Sequence, residues 1–156
     1  MADYRSRPAT LADIEALVAQ RIAMFVDMGT PLDAGALADR YRDWLLEALP
    51  TGSYRAWVVE APSGQIVAGG GVSVVPWPPG PRNSSGRLAF VFNVYTAPAH
   101  RRRGLARLVM QDIHAWCRAD AVTTVALNAS PFGQPLYETL GYRVWPQPMM
   151  IASLDS

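Results

Sequence analysis

The chain has 156 residues, half of them apolar, with five Trp, six Tyr and four Phe, enough to bury one core and not the composition of a disordered chain. Fourteen basic and thirteen acidic residues leave a net charge of +1, which argues against a protein built to coat nucleic acid or an anionic membrane. Every basic residue is Arg and none is Lys, so Schiff-base chemistry, a Walker-type lysine and self-modified lysine are excluded.

Tyr4 to Pro8 reads as a short extended segment ended by its proline. Thr10 has the character of an N-cap, with Asp13 as the acidic partner three residues on. Leu11, Ile14, Leu17, Val18, Ile22, Phe25 and Val26 recur at helical spacing, which predicts an amphipathic helix over 11–28, stopped at Gly29 and Pro31. A second helix starts at Asp33, runs through Tyr41, Trp44, Leu45 and Leu49, and ends at Pro50 and Gly52. Strands are expected over Tyr54–Glu60 and Ile66–Val75, a hairpin around Pro62-Ser-Gly64, with Gly69–Gly71 marking a bulge or a close approach by another group. Pro76 to Arg87 is loop, and Leu88–Thr96 is a buried strand. A helix over 104–119 presents Leu105, Leu108, Val109, Ile113 and Trp116 on one face. A strand over Val122–Leu127, a helix over Pro131–Leu140 ended by Gly141, and closing strands at Tyr142–Trp145 and Met149–Ala152 complete the order β-α-α-β-β-β-α-β-α-β-β. One domain of mixed α/β (α+β) class with a central sheet follows, without internal repeats.

One cysteine, Cys117, cannot close an internal disulfide; with two histidines it makes a poor metal kit, and no metal is expected. The opening MADYRSRPATLADIEALVAQ lacks the unbroken apolar core of a signal peptide. No stretch approaches the roughly 20 apolar residues of a membrane span. The expectation is a cytoplasmic protein without membrane or nucleic-acid partners.

The densest chemistry lies in FVFNVYTAPAHRRRGLARLVMQDIHAWCRA, residues 90–119. A strand feeds a helix through a turn with three arginines and a glycine. The first helical N–H groups have no intrahelical partner and the positive end of the dipole faces the turn, a combination suited to phosphate. Gly104 lets the backbone approach a diphosphate and small Ala106 leaves room against the first helical turn. The amides of residues 102–107 would be donors, with arginine charge at the rim. A solvated basic helix start explains RRRGLA alone equally well; a nucleic-acid surface would need a broader basic face with exposed aromatics.

Downstream stands SPFGQPLYETLGY, residues 130–142. Arg101-Arg-Arg-Gly-Leu-Ala106 fits Arg/Gln-x-x-Gly-x-Gly/Ala, and LYETLGY fits Leu-Tyr-Glu-x-Leu-Gly-Phe/Tyr. Together, in order and separated by one strand, they resemble the GNAT superfamily of N-acetyltransferases, closely over Leu88 to Tyr142. The resemblance implies a mostly antiparallel sheet splayed between its fourth and fifth strands, flanked by helices, and acetyl-CoA as co-substrate. It assigns backbone contacts to Val94, Tyr95 and Thr96, with the Val94 amide as donor to the thioester oxygen. It assigns pyrophosphate contacts to Arg101, Arg102, Arg103, Gly104, Leu105, Ala106 and Arg107. Ser130 takes a position where many members carry Asn. Tyr137 falls on the tyrosine that assists the leaving sulfur as general acid.

The strand acid that serves some members as base is missing from Leu88-Ala-Phe-Val-Phe92; Glu60, Asp27 or a water relay would have to substitute. Met24, Asp27 and Met28 would line the acceptor site, although thioethers fill core gaps just as well; Asn128 would orient the acceptor, a small-molecule or peptide amine, or cap the next turn. Trp77 would form a lid or a dimer wedge, and the apolar C-terminal strands would suit a homodimer. His100, His114 and Cys117 have plainer readings: an exposed turn residue, a surface residue and a packing residue. The rival is a non-catalytic acyl-CoA sensor or interaction module on the same fold.

Overall fold

The computed structural model describes residues 3–155. A five-stranded sheet runs in sequence order: β1 (Arg5–Pro8), β2 (Arg55–Glu60), β3 (Ile66–Pro76), β4 (Arg87–Thr96) and β5 (Val125–Leu127). The first four pair antiparallel and β5 joins β4 in parallel. Helices α1 (Ile14–Asp27) and α2 (Ala34–Thr51) cover one face; α3 (Leu105–Ala119) covers the other, with short α4 (Gln134–Thr139) beyond β5. The mixed α/β architecture agrees with the sequence reading.

Two cores follow from strand alternation, which sends successive side chains to opposite faces. Val58, Ala56 and Tyr54 meet Leu17, Leu45 and Tyr41 under α1 and α2. Trp57, Val59, Ala89 and Val91 meet Val109 and Ile113 under α3.

Several boundaries differ from expectation. The first helix opens as a 3-10 turn at Leu11–Asp13, with Thr10 and Asp13 forming the reciprocal capping box. Pro50 lies inside α2, which continues to Thr51 and ends at Gly52; in the last turn a missing N–H interrupts little of the ladder. Strand pairing covers only Val125–Leu127, and Val122 is a buried core residue ahead of it. The closing strands over Tyr142–Trp145 and Met149–Ala152 do not form. Pro146 and Pro148 cannot donate to a ladder, and Val144, Met149, Met150 and Ile151 lie exposed with nothing to pair against.

The sheet's first strand is tied to α1 by a buried charge. Arg7 reaches both Asp13 oxygens at 2.8 and 2.9 Å and Glu60 at 2.9 Å, while Asp13, 5% exposed, also accepts from the Thr10 amide at 2.7 Å. Hydrogen bonding from Arg7 holds the Asp13 carboxyl below its ordinary value of 3.8, against the opposing effect of burial. A depressed carboxyl contributes stability that is present above its unfolded pKa and is lost as pH falls through the folded value. Asp13→Asn is expected to lose about 2 kcal/mol at pH 7 by urea denaturation, with the gap to wild type closing below pH ~4. A gap that persists undiminished at pH 3 would show the charge is not what stabilises this tie.

Candidate active site

The β4–β5 ladder is short. It comprises Ala89↔Val125, Phe90↔Ala126 and Val91↔Leu127, after which β4 runs on to Thr96 with no strand on that side among the described residues. Backbone alternation decides which β4 groups face the resulting gap. The Ala89 N–H points to the β5 side, donating to Thr124 O at 3.1 Å, yet the Ala97 N–H points to β3, donating to Val67 O at 2.8 Å. Residues an even number apart should face the same way, so one extra residue lies between them. It is the bulge in β4, where Gly71↔Phe92 gives way to Gly69↔Tyr95 and only Gly70 opposes Asn93 and Val94. Counting back from Ala97, the backbone groups of Thr96 and Val94 face the gap and those of Tyr95 face β3.

Asn93 makes this shift with φ +63°, a left-handed conformation that Asn tolerates better than most residues. Its carboxamide is fully used. Nδ2 donates to Tyr54 Oη at 2.9 Å and Tyr41 Oη at 3.1 Å, and Oδ1 accepts from Arg21 Nη1 at 2.5 Å. Burial pushes both phenols well above their usual range, so they remain protonated. Tyr54 gains its place because Gly71 lacks a side chain: a Cβ there would stand 2.1 Å from Tyr54 Oη. The glycine run therefore serves both a bulge and a close approach.

Beyond β4, Pro98–His100 forms one 3-10 turn and leads to α3 through Arg102 at φ +63° and Gly104 at φ +76°. Two left-handed residues so close together give the kind of turn that curls successive N–H groups into an anion-binding concavity. The first helical bond is Leu108 N–H to Gly104 O, leaving the amides of Leu105, Ala106 and Arg107 without helical acceptors. A Cβ added to Gly104 would meet nothing within 4 Å, so the approach to the turn is open. A groove of about 400 Å³ runs beside it, lined by Tyr4, Arg103, Gly104, Arg107 and Gln111 among others. Backbone and charge here fit a diphosphate.

Tyr137 on α4 packs into the α3-side core with Leu105 and Val109 and is 9% exposed; burial raises its phenol. Gly133 allows the ring its seat, since a Cβ there would lie 3.0 Å from Tyr137 Cε2. Ser130 Oγ accepts from the Gly133 amide at 3.1 Å, so this side chain shapes the turn into α4. The Tyr142 ring meets Tyr137 edge-on, and its hydroxyl pairs with His114 Nε2 at 2.7 Å.

Comparison with known proteins agrees with this geometry. A model of the acetyltransferase (GNAT) family matches residues 23–142. The chain belongs to the GNAT acetyltransferase family. A GCN5-related N-acetyltransferase from Ralstonia eutropha JMP134 is 34% identical, with 96% of this chain and 99% of that one covered and a TM-score of 0.85. The fold also matches a predicted acetyltransferase with acetyl-CoA from Clostridium acetobutylicum at 23% identity, covering 96% of each chain with a TM-score of 0.86. Glucosamine-6-phosphate N-acetyltransferase from Arabidopsis thaliana matches at 21% identity, 98% of this chain and 99% of that one, with a TM-score of 0.72. No functionally curated protein matches.

Within this GNAT frame some candidates take unexpected places. Arg101 donates to Asp27 at 2.5 Å and Thr96 O at 2.9 Å and lies over the Tyr95 ring, so it ties the phosphate turn to the end of α1. Asp27 is therefore engaged, and so is Glu60, paired with Arg7 two strands from β4. Arg107 bonds Thr139 Oγ1 at 2.6 Å and bridges α3 to α4, while Arg102 and Arg103 are exposed at the rim. Met24 is half-buried on α1; Met28 and Asn128 are exposed beyond the ends of α1 and β5.

His100 is held by Tyr4 Oη at 2.9 Å, and His114 is half-buried against Tyr142, its pKa lowered by burial and by Arg118. Cys117 is buried in the core as a packing residue. Among the described residues no His, Cys, Asp or Glu group could hold a metal, and no helix is long and apolar enough to cross a membrane. Residue-by-residue reading missed Arg21, Tyr41, Tyr54 and Asn93; the signal available was an Asn interrupting the apolar run FVFNVYT.

If Asn93 holds the bulge, Asn93→Ala should destabilise the fold by ~2–3 kcal/mol, from left-handed strain and the unpaired polar groups it leaves. Asn93→Gly, which accepts the backbone angle, should lose about 1 kcal/mol less. Equal losses in urea denaturation would mean that the backbone angle contributes nothing.

Proposed function

We propose that the chain is an N-acetyltransferase that moves an acetyl group from acetyl-CoA to a primary amine by direct attack. The observation that carries this reading is the Val94 N–H, turned by the Asn93 bulge into the gap, with Tyr137 buried in the α3-side core against which the Val94 side chain packs. Acetyl-CoA supplies an activated acyl group with a good leaving sulfur. The amides of residues 102–107 would hold its pyrophosphate and the gap-facing groups of Val94 and Thr96 its pantetheine, pairing as an added strand would. A Val94 N–H aimed at the thioester oxygen stabilises the negative charge that develops there.

The amine nitrogen forms a C–N bond to the acetyl carbon as the C–S bond breaks. One amine proton passes to water and the departing sulfur takes one back. No covalent enzyme intermediate is needed, since no nucleophile with a partnering base stands at the site. Tyr137 serves the sulfur. Its phenol, raised by burial, stays protonated at all ordinary pH and donates a hydrogen bond to the thiolate more readily than it gives up its proton.

Tyr137→Phe is expected to lower kcat by ~10²–10⁴-fold in a thiol-release assay while calorimetry still detects acetyl-CoA binding. Unchanged turnover would remove Tyr137 from the mechanism.

With Asp27 and Glu60 both committed to arginines, the amine must arrive neutral or lose its proton through water. The rate should then rise about tenfold per pH unit up to the acceptor's own pKa and shift when that acceptor is exchanged. A plateau at one pH for every amine would instead reveal an enzyme base.

The same engagement of both carboxylates favours a second reading, an acyl-CoA sensor that binds without turnover. A sensor would release thiol no faster than buffer across an amine panel.

A further inference from the structure

We infer that the acceptor amine carries a carboxylate beside an apolar or aromatic group, and that Arg21 holds that carboxylate. The inference rests on the acetyl-transfer reading above and deepens it.

The direction of approach comes from the faces of the sheet. Val94 turns its side chain toward α3: a Cβ built on Gly70 would stand 2.9 Å from Val109 Cγ1 and 3.2 Å from Val94 Cγ2. Tyr137 and the start of α3 occupy that side as well. An amine reaching the thioester therefore enters from the α1 side, where Asn93 and the 40%-exposed Phe92 face outward. The wall there is aromatic. Phe92 packs on Phe90 with ring centres 4.9 Å apart, and exposed Trp44 stacks on Tyr41 at 5.8 Å.

Arg21 brings a positive charge to this wall from α1. The guanidinium lies 4.9 Å from the centre of the Phe25 ring and 5.0 Å from that of Tyr41. Of its five N–H donors, one bond goes to Asn93 Oδ1 at 2.5 Å. Among the described residues no carboxylate pairs with it, and Asp27, on the same helix, is taken by Arg101. A half-buried guanidinium with unused donors and two aromatic faces is a seat for a carboxylate, which its forked geometry matches. A polyamine or aminoglycoside would instead meet an uncompensated like charge. The carboxylate takes no part in bond making; Arg21 binds and orients, and the C–N and C–S changes are those already described.

The test is a thiol-release panel on the full chain with L-phenylalanine, L-phenylalanine amide, phenethylamine and spermidine, each corrected for its neutral fraction. L-Phenylalanine is expected to exceed the other three in kcat/KM by about tenfold or more, chiefly through KM. Arg21→Gln should shrink that advantage to within ~2-fold, and Arg21→Lys should restore part of it. Calorimetric binding of acetyl-CoA reports whether each variant is folded; if a variant fails there, the wild-type ranking alone decides. Equal rates across the panel, preference for spermidine, or an Arg21→Gln loss shared equally by all four amines would overturn the inference and leave acetyl transfer intact. Absence of thiol release with every amine would overturn both.

Discussion

The extra residue in β4 is the constraint on which the site depends. Were the strand regular through Asn93, it would keep its alternation and Val94, which the bulge turns to the gap beside β5, would turn its N–H to β3. A left-handed non-glycine residue is unfavourable by roughly 1–2 kcal/mol, so the conformation must be held from outside. Three hydrogen bonds hold it: Arg21 donates to Asn93 Oδ1, and Asn93 Nδ2 donates to Tyr41 and Tyr54 of the α1–α2 core. Tyr54 in turn depends on the absent side chain of Gly71. A packing arrangement on one face of the sheet thus sets the backbone direction that the chemistry on the other face requires.

A second link joins the same helix to the phosphate turn. The Arg101–Asp27 pair is exposed, and such pairs contribute little to stability. Its effect is positional. It ties the end of α1 to the turn and engages Asp27, a carboxylate expected at the acceptor wall. Glu60 is engaged likewise by Arg7. On the acetyl-transfer reading proposed above, catalysis rests on placement of the reactants, one amide for developing charge and one buried phenol for the leaving sulfur. These are effects of proximity and preorganised dipoles rather than of strong acids and bases.

The legible parts of the sequence were those whose structure is local. Thr10 announced an N-cap with Asp13 as its acidic partner, and Asp33 and Gly104 the starts of two helices, because each is decided within a few residues. RRRGLA and LYETLGY were readable for the same reason. The C-terminal strands were misread because a strand needs a partner. The apolar residues of YRVW and MMIA have the propensity, yet Pro146 and Pro148 interrupt them and no strand among the described residues pairs with them. The pairing of Arg101 with Asp27 was not legible, because the two lie 74 residues apart.

This division follows the two halves of the site. The cofactor half is made of backbone: a turn, a helix start and an unpaired strand edge, all of which impose glycine, small residues or order on the sequence and so leave motifs. The acceptor half is made of side chains from α1, α2 and β4 that meet only in three dimensions. Arg21 and Asn93 are 72 residues apart, and Tyr41 and Asn93 are 52 apart. No spacing rule connects them. Cofactor chemistry can therefore be common to a family while acceptor choice varies by single side chains. On the reading proposed above, the variable half of this chain is an aromatic wall with the Arg21 guanidinium, which would select by charge where the backbone half cannot.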